Sequence, residues 1–285
     1  YLLGRSPPGR GLRGVVTLPR GLRSALAVVT GVVVALLVTP LVVIVVFAFD
    51  KSTIPTLPIQ HWTTSWFTVA WHDPAVRSAL GLSLEVGVVA TAVAVVLGTL
   101  VAFGLHRFSF FGRDAISLLL VLPIALPGIV TGLALQSAIS ATSLSFSMAT
   151  VIVGHATFCI VVVFNNVVAR LRRTPGSYAE ASADLGARPW QTFLYVTFPA
   201  IRTALVAGAL LAFALSFDEV IVTTFTAGAQ NTLPLWIFGA IRLGQQLPEV
   251  NAVVVGVIVL TLVPLVVAAR VSGGEGFSAH AVRSR

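Results

Sequence analysis

Two carboxylates stand side by side in an apolar stretch. Asp218 and Glu219 interrupt the run 200–227, after Ala214-Leu215-Ser216-Phe217 and before Val220. Ionisable groups are expensive inside a membrane-length apolar segment, so where they occur they mark function by default. Fixed negative charge of this kind serves a multiply charged cation that is shedding its water. Glu85 is a third candidate, placed near one end of its own apolar run, where it can also simply reach water. Adjacent positions on one continuous helix diverge by about 100°. Asp218 and Glu219 therefore do not both face a single pathway, and the other is free to pair with Arg242 or to cap helix backbone.

Other chemistry is poorly provided for. The sole lysine, Lys51, follows Asp50, so the G-K-[ST] ending of a phosphate-binding P-loop is missing, and neither H-E-x-x-H nor a D-x-D-x-D-G calcium loop occurs. His155 and Cys159 share one apolar run, which is too little for an acid–base or nucleophile set. His155 is expected to be a hydrogen-bonded interhelical residue, and Asn165 and Asn166 are expected to join helices. Cys159 is the only cysteine, which excludes an internal disulfide and a cysteine metal cage.

The elements that carry these residues follow from composition. Hydrophobic residues make up 56% of the 285 and charged ones 10%, and the mean hydropathy is +0.97. Soluble domains carry roughly 25% charged residues, so a chain this poor in charge needs the bilayer as its second solvent. The net charge of +8 comes almost wholly from arginines set beside apolar runs. With no interleaved basic and aromatic groove, nucleic acid is not the expected partner.

Six runs are long enough to span a bilayer, at 22–49, 79–105, 115–140, 148–169, 200–227 and 250–269. The first is too long for a cleaved signal core and reads as a retained helix. With the N-terminus on the cytoplasmic side, 15 of the 18 basic residues fall in inner segments and only Lys51, Arg77 and Arg242 fall outside. That asymmetry places both termini in the cytoplasm. The outer segment 50–77 carries Trp62, Trp66 and Trp71, whose rings suit the headgroup level. The segment 232–244 is apolar but too short to cross, and suits a re-entrant or interface-lying helix.

The inner loop 170–199 is the most specific part of the chain. It reads RLRRTPGSYAEASADLGARPWQTFLYVTFP. Pro175 and Gly176 end the preceding span, and Ser177 is the expected N-cap of a short amphipathic helix. Tyr178, Ala181 and Leu185 fall on one face of it, with Glu180 and Asp184 on another. Gly186 then stops the helix by taking the left-handed conformation, and Pro199 is expected in the first turn of the next span.

Here the chain resembles the permeases of bacterial ATP-binding-cassette importers, whose inner loop carries E-A-A, three residues, G, nine residues and I-x-L-P. The matching residues are Glu180, Ala181 and Ser182, then Gly186, then Val196, Phe198 and Pro199; Ser182, Val196 and Phe198 depart from the pattern in type but keep its spacing. The run Ser216-Phe217-Asp218-Glu219-Val220, then Leu233-Pro234-Leu235, then Pro248-Glu249-Val250-Asn251-Ala252 is similar to the spermidine/putrescine branch of that family.

The resemblance implies an all-α membrane protein with the type I importer permease fold, six transmembrane helices over 22–271, a cytoplasmic arm over 1–21 and a cytoplasmic tail over 272–285. It implies that the 177–188 segment docks on a separate ATPase through Tyr178, Glu180, Ala181, Asp184, Leu185, Gly186 and Ala187. The implied partners are two copies of that cytoplasmic ATPase, a second homologous permease and an extracytoplasmic solute-binding protein, all gathered at the lipid bilayer of a bacterial cytoplasmic membrane. The chain itself would bind no cofactor and catalyse nothing, ATP and Mg2+ belonging to the partner. Polyamines are the expected cargo, and the acid pair ranks them above sulfate, molybdate, iron or phosphonate. The contrasting reading, a self-sufficient ion-coupled carrier, gains nothing from the sequence, which has no defensible internal repeat.

Overall fold

Long apolar runs satisfy their backbone groups internally in a bilayer, and helices are the only way to do so without closing a barrel. The computed structural model describes residues 19–54, 57–244 and 247–272, with Arg20 and 262–272 described by their backbone alone. Along the chain, α1 (Arg20–Phe47), α2 (Ser65–His72) and α3 (Pro74–Arg107) are followed by α4 (Arg113–Ala125), α5 (Gly128–Ala141) and α6 (Met148–Leu171). Then come α7 (Ser177–Asp184), α8 (Pro189–Thr192), a π-helical turn over Phe193–Thr197, α9 (Phe198–Phe217), α10 (Ile221–Thr226), α11 (Leu233–Leu243) and α12 (Leu247–Ser272). Among the described residues the only β feature is a bridge between Asp50 and Trp62.

The core is the packing of α3, α6 and α9 on one another. Ala90, Ala94, Gly98 and Ala102 recur every fourth residue on α3 and are all buried. Small side chains on one stripe let helix backbones approach, which is how membrane helices gain contact when lipid is as apolar as they are. The approach is closest at Gly98, where a Cβ would stand 2.8 Å from the Ile160 carbonyl oxygen. Phe158, Val163 and Phe164 of α6 and Ile201 and Ala212 of α9 complete the same cluster. By contrast α1 is exposed along nearly all its length, and it is held where its end leads into Ala48 and Asp50.

Among the residues whose side chains are described, four helices are long and apolar enough to cross a bilayer, or five if α4 and α5 count as one bent span. The expected third span, 115–140, is thus not a continuous rod. α4 and α5 meet at 106°, because Pro127 holds an extended backbone (φ −54°, ψ 132°) and disfavours helical geometry at Leu126 before it. The expected fifth span, 200–227, is also revised. It starts earlier, running unbroken from Pro189 to Phe217, and it stops at Phe217, with α10 a separate short helix. The expected arm 1–21 and tail 272–285 lie outside the described residues, apart from the few that join α1 and α12.

Pro199 falls in the first turn of α9, as expected, but α9 continues the rod from Pro189 and does not open a new span. Pro199 stands two residues after the π turn, where Phe198 N–H reaches back five residues to the Phe193 carbonyl. A proline in a helix interior removes a hydrogen bond and clashes with the carbonyl four residues back. The wider π turn just before it is the local adjustment that accommodates both effects.

Candidate functional site

The first candidate region is α7 and its flanks. Gly176, not Ser177, occupies the N-cap position, so the helix begins one residue earlier than its hydroxyl suggests. Its C-terminus is closed by two reversed bonds, from Gly186 N–H to the Ala183 carbonyl (2.8 Å) and from Ala187 N–H to the Ser182 carbonyl (3.1 Å). This is a Schellman motif, and it needs the left-handed φ of +82° that Gly186 supplies. The helix proper ends at Asp184, so the 177–188 segment is helical only over its first eight residues.

No residue of α7 is buried. Tyr178 is 57% exposed and Leu185 89%, so an aromatic and an aliphatic side chain project with nothing among the described residues to cover them. What holds α7 in place is its far side. The Ser182 and Thr192 hydroxyls meet at 3.0 Å, which gives a structural reason for serine where the importer pattern has alanine. Thr192 leads into the π turn, whose Phe193 packs edge-on against Phe103 of α3 at 5.5 Å and beside Trp190 at 6.0 Å. Arg170 Nε–H donates to the Ala200 carbonyl at 2.8 Å, tying the end of α6 to the same rod. α7 is therefore fastened to the start of one continuous helix that runs to Phe217.

The second region lies at the other end of that rod. Asp218 caps α9, its N–H bonded to the Ala214 carbonyl at 3.2 Å, and helical pairing then lapses until Ile221. The two acids sit on this interruption and not at neighbouring positions of one helix, so the 100° divergence does not govern them. Their roles separate. Glu219 Oε1 accepts the Val222 N–H at 2.9 Å and its carbonyl accepts the Thr223 hydroxyl at 2.6 Å. It therefore caps α10, one of the alternatives read from the sequence. Arg242 does not fill the other alternative; its guanidinium lies over the Phe238 ring, 5.7 Å from the centroid.

Asp218 is exposed. It lines a cavity of about 350 Å³ between the end of α9, α11 and α12, walled otherwise by Phe217, Pro234, Ile237, Val254 and Ile258. Asp218 is the one charged residue in this lining. Glu85 is exposed on α3 and does not line this cavity.

His155 was read as an interhelical hydrogen-bonder, and it is one. Its ring is 1% exposed, with Nδ1 2.8 Å from the Ser216 hydroxyl of α9 and Nε2 2.8 Å from the Thr223 hydroxyl of α10. Cys159 is buried one turn along α6, its thiol 3.3 Å from the Ala212 carbonyl. The asparagines do not join helices in this way: Asn166 bonds the Val162 carbonyl of its own helix at 2.9 Å, and Asn165 is exposed.

Sequence reasoning passed over two further features. Ser83 of α3 accepts the Leu233 N–H at 2.8 Å and so pins the start of α11 to the bundle. Glu249, in the first turn of α12, is only 2% exposed. Burial, and then the neighbouring Asp73 carboxylate, raises its carboxyl pKa above the ordinary glutamate range. Its place in the Pro248–Ala252 motif was the available signal, but nothing local foretells burial beside a residue so distant in sequence.

Residues 90–272 match the family described as the binding-protein-dependent transport system inner membrane component. The chain belongs to that family. As such a component it is a multi-pass inner-membrane protein. It is 35% identical over 221 residues to the putrescine transport system permease protein PotI of Escherichia coli (strain K12), covering 75% of this chain and 78% of that one. It is 30% identical over 228 residues to the spermidine/putrescine transport system permease protein PotC of the same strain, covering 80% and 86%. A chain of a bacterial ABC transporter involved in import of the acidic polysaccharide alginate superposes with a TM-score of 0.65, covering 90% of this inner membrane component and 96% of that chain. At 16% identity that likeness is one of fold.

Proposed function

We propose that this inner membrane component is the permease subunit of an ATP-driven polyamine importer, with six transmembrane segments and both termini in the cytoplasm. One observation carries the reading. An eight-residue helix, Ser177–Asp184, stands outside the bundle with its apolar tip uncovered, yet is fastened to a rod that ends at the candidate pathway. A helix built this way suits a cleft on a moving partner. The partner is a cytoplasmic ATPase that holds ATP and Mg2+, present in two copies, and Glu180, Ala181, Asp184, Leu185, Gly186 and Ala187 with Tyr178 form the docking surface. A second, homologous permease supplies the other half of the pathway, and an extracytoplasmic binding protein delivers the cargo. The chain has no catalytic step of its own to perform; it converts ATPase closure into rigid-body motion.

The cargo reading rests on the names of the related permeases and on Asp218 in its apolar cleft, which suits an alkyl chain carrying ammonium groups. Of the two acids, Asp218 faces the cargo and Glu219 supports it by capping α10. Glu85, exposed on α3, keeps only the role of a charge beside the route.

The test is uptake of labelled putrescine and spermidine by cells with and without this chain, in the presence of its partner subunits. Uptake that depends on the chain, is competed by either polyamine, and is indifferent to sulfate and iron chelates is the expected result. Competition by sulfate in place of polyamines would overturn the cargo assignment and leave the permease reading standing.

A further inference from the structure

Three elements meet at one buried imidazole, and the interruption that carries Asp218 lies between two of them. Ser216 is two residues before Asp218 and belongs to α9; Thr223 is on α10, beyond the interruption. Both hydroxyls are buried, and both reach His155 of α6 at 2.8 Å. Beyond Asp218, whose N–H still pairs with the Ala214 carbonyl, the backbone as far as Ile221 is not held by helical pairing, so its path is set by what clamps its two ends.

One tautomer of the neutral ring satisfies every group in this chain. Thr223 has one hydroxyl proton, and it is given to the Glu219 carbonyl at 2.6 Å. Thr223 Oγ1 can therefore only accept from the ring, which places a proton on Nε2. Nδ1 then accepts the Ser216 hydroxyl proton. In that tautomer the protons run one way along the chain, from Ser216 to His155, from His155 to Thr223 and from Thr223 to the Glu219 carbonyl. A buried polar network satisfied in this manner fixes a unique geometry.

We propose that His155 is a positioning residue for transport: it holds the ends of α9 and α10 at a set separation and thereby presents the Asp218 carboxylate to the cavity. The proposal rests on the reading of Asp218 as the cation's anchor. It adds that the anchor is aimed from α6, which touches neither the cavity nor the cargo. The rod from Pro189 to Phe217 also ends at this clamp, so motion entering at α7 reaches Asp218 against the fixed point that His155 supplies.

The test uses the assembled importer with four chains: the parent, His155→Leu, Asp218→Asn and the double variant. His155→Leu and Asp218→Asn each lower maximal polyamine uptake by about tenfold, and the double variant is no worse than Asp218→Asn alone. Membrane levels of the chain must match the parent's. His155→Gln, whose amide offers one acceptor and one donor at a comparable spacing, recovers most of the uptake, and Ser216→Ala, which removes only one of the two bonds, gives an intermediate loss. Multiplying losses in the double variant, or His155→Gln as poor as His155→Leu, would overturn the proposal.

A second readout needs no transport. With Asp218→Cys in place, labelling by a charged thiol reagent changes rate about fivefold or more when His155→Leu is added, and returns towards the parent rate with His155→Gln. Equal rates in all three backgrounds would end the idea. If Asp218→Asn alone leaves uptake untouched while the labelling rates differ, the anchor reading fails and the clamp survives.

Discussion

α7 and the Asp218 interruption lie at opposite ends of one rod, and they are built by opposite means. α7 is assembled from contacts within its own neighbourhood: the reversed bonds at Gly186 span a few residues, and Ser182 meets Thr192 ten positions on. The interruption is assembled from afar. His155 reaches Ser216 across 61 positions and Thr223 across 68, and the Thr150 hydroxyl meets the Thr226 carbonyl across 76. A locally built element can be pushed as a unit without losing its shape, which is what a transmitting part needs. An element held by its neighbours changes shape when they move, which is what a gate needs.

If that contrast is right, damage to α7 should disconnect the rod, while damage at the interruption should leave it connected but less effective. Gly186→Val is the severest case. A branched side chain at φ +82° costs about 1–2 kcal/mol or more, and it unravels the Schellman closure that orients Leu185 and Ala187. Uptake is expected to vanish and the ATPase to be lost on affinity purification of the permease, with the chain still in the membrane. Full ATPase retention would show that the shape of α7 is not what the partner grips.

Next comes the acid pair. Asp218→Asn removes charge without disturbing any helix cap, and uptake should fall by about tenfold with the ATPase still bound. Glu219→Gln keeps an oxygen to accept the Val222 N–H, so its loss should be several-fold smaller. Equal effects from the two substitutions would mean that both carboxylates meet the cargo, and the division of labour drawn here would be wrong.

The same contrast explains what could be read from the sequence. Pro175, Gly176, Gly186 and the arginines around them act on their own backbone, so α7, its glycine stop and its surface position were legible in advance. The apolar runs were legible too, since backbone satisfaction in lipid is a rule about each segment alone. Hydropathy could not see that 115–140 folds back at Pro127, because the residues either side of the bend are as apolar as a straight span requires. Nor could it see α9 end at Phe217. Asp218 and Glu219 stand out in the sequence as acids in an apolar run, but the 100° rule presumed a continuous helix. The interruption is flanked by the two hydroxyls that meet His155, whose own role as an interhelical hydrogen-bonder was legible while the partners it would choose were not.

Glu249 offers a smaller effect of the long-range kind. Burial and Asp73 raise its pKa in the fold, so the native chain holds this proton more tightly than the unfolded chain does. Between the ordinary glutamate value and the raised one, the unfolded state loses its proton first, and stability falls as pH rises through that window. Below the ordinary value both states are protonated and the group contributes nothing. Thermal unfolding of the purified permease should therefore show a midpoint that declines across this range, and Glu249→Gln should flatten the decline. An unchanged slope would mean that Glu249 titrates alike in both states.

The finest comparison deletes one hydroxyl from each region. Ser182→Ala removes the bond to Thr192, which is part-buried and close in sequence; Thr150→Val removes the bond to the buried Thr226 carbonyl at 2.7 Å, together with the contacts to the Ser147 N–H and carbonyl at the start of α6. Losing a part-buried hydroxyl pair near water costs a few tenths of a kcal/mol to about 1, whereas stranding a buried carbonyl costs about 1–3. Thr150→Val should therefore lower the thermal midpoint more. Hydrogen exchange adds the spatial test: Ser182→Ala should raise exchange only in α7 and α8, while Thr150→Val should raise it in α10 and in the facing part of α6. Exchange spreading from Ser182 into α9 and α10 would mean that α7 is not a self-contained unit, and that the two ends of the rod share one cooperative structure.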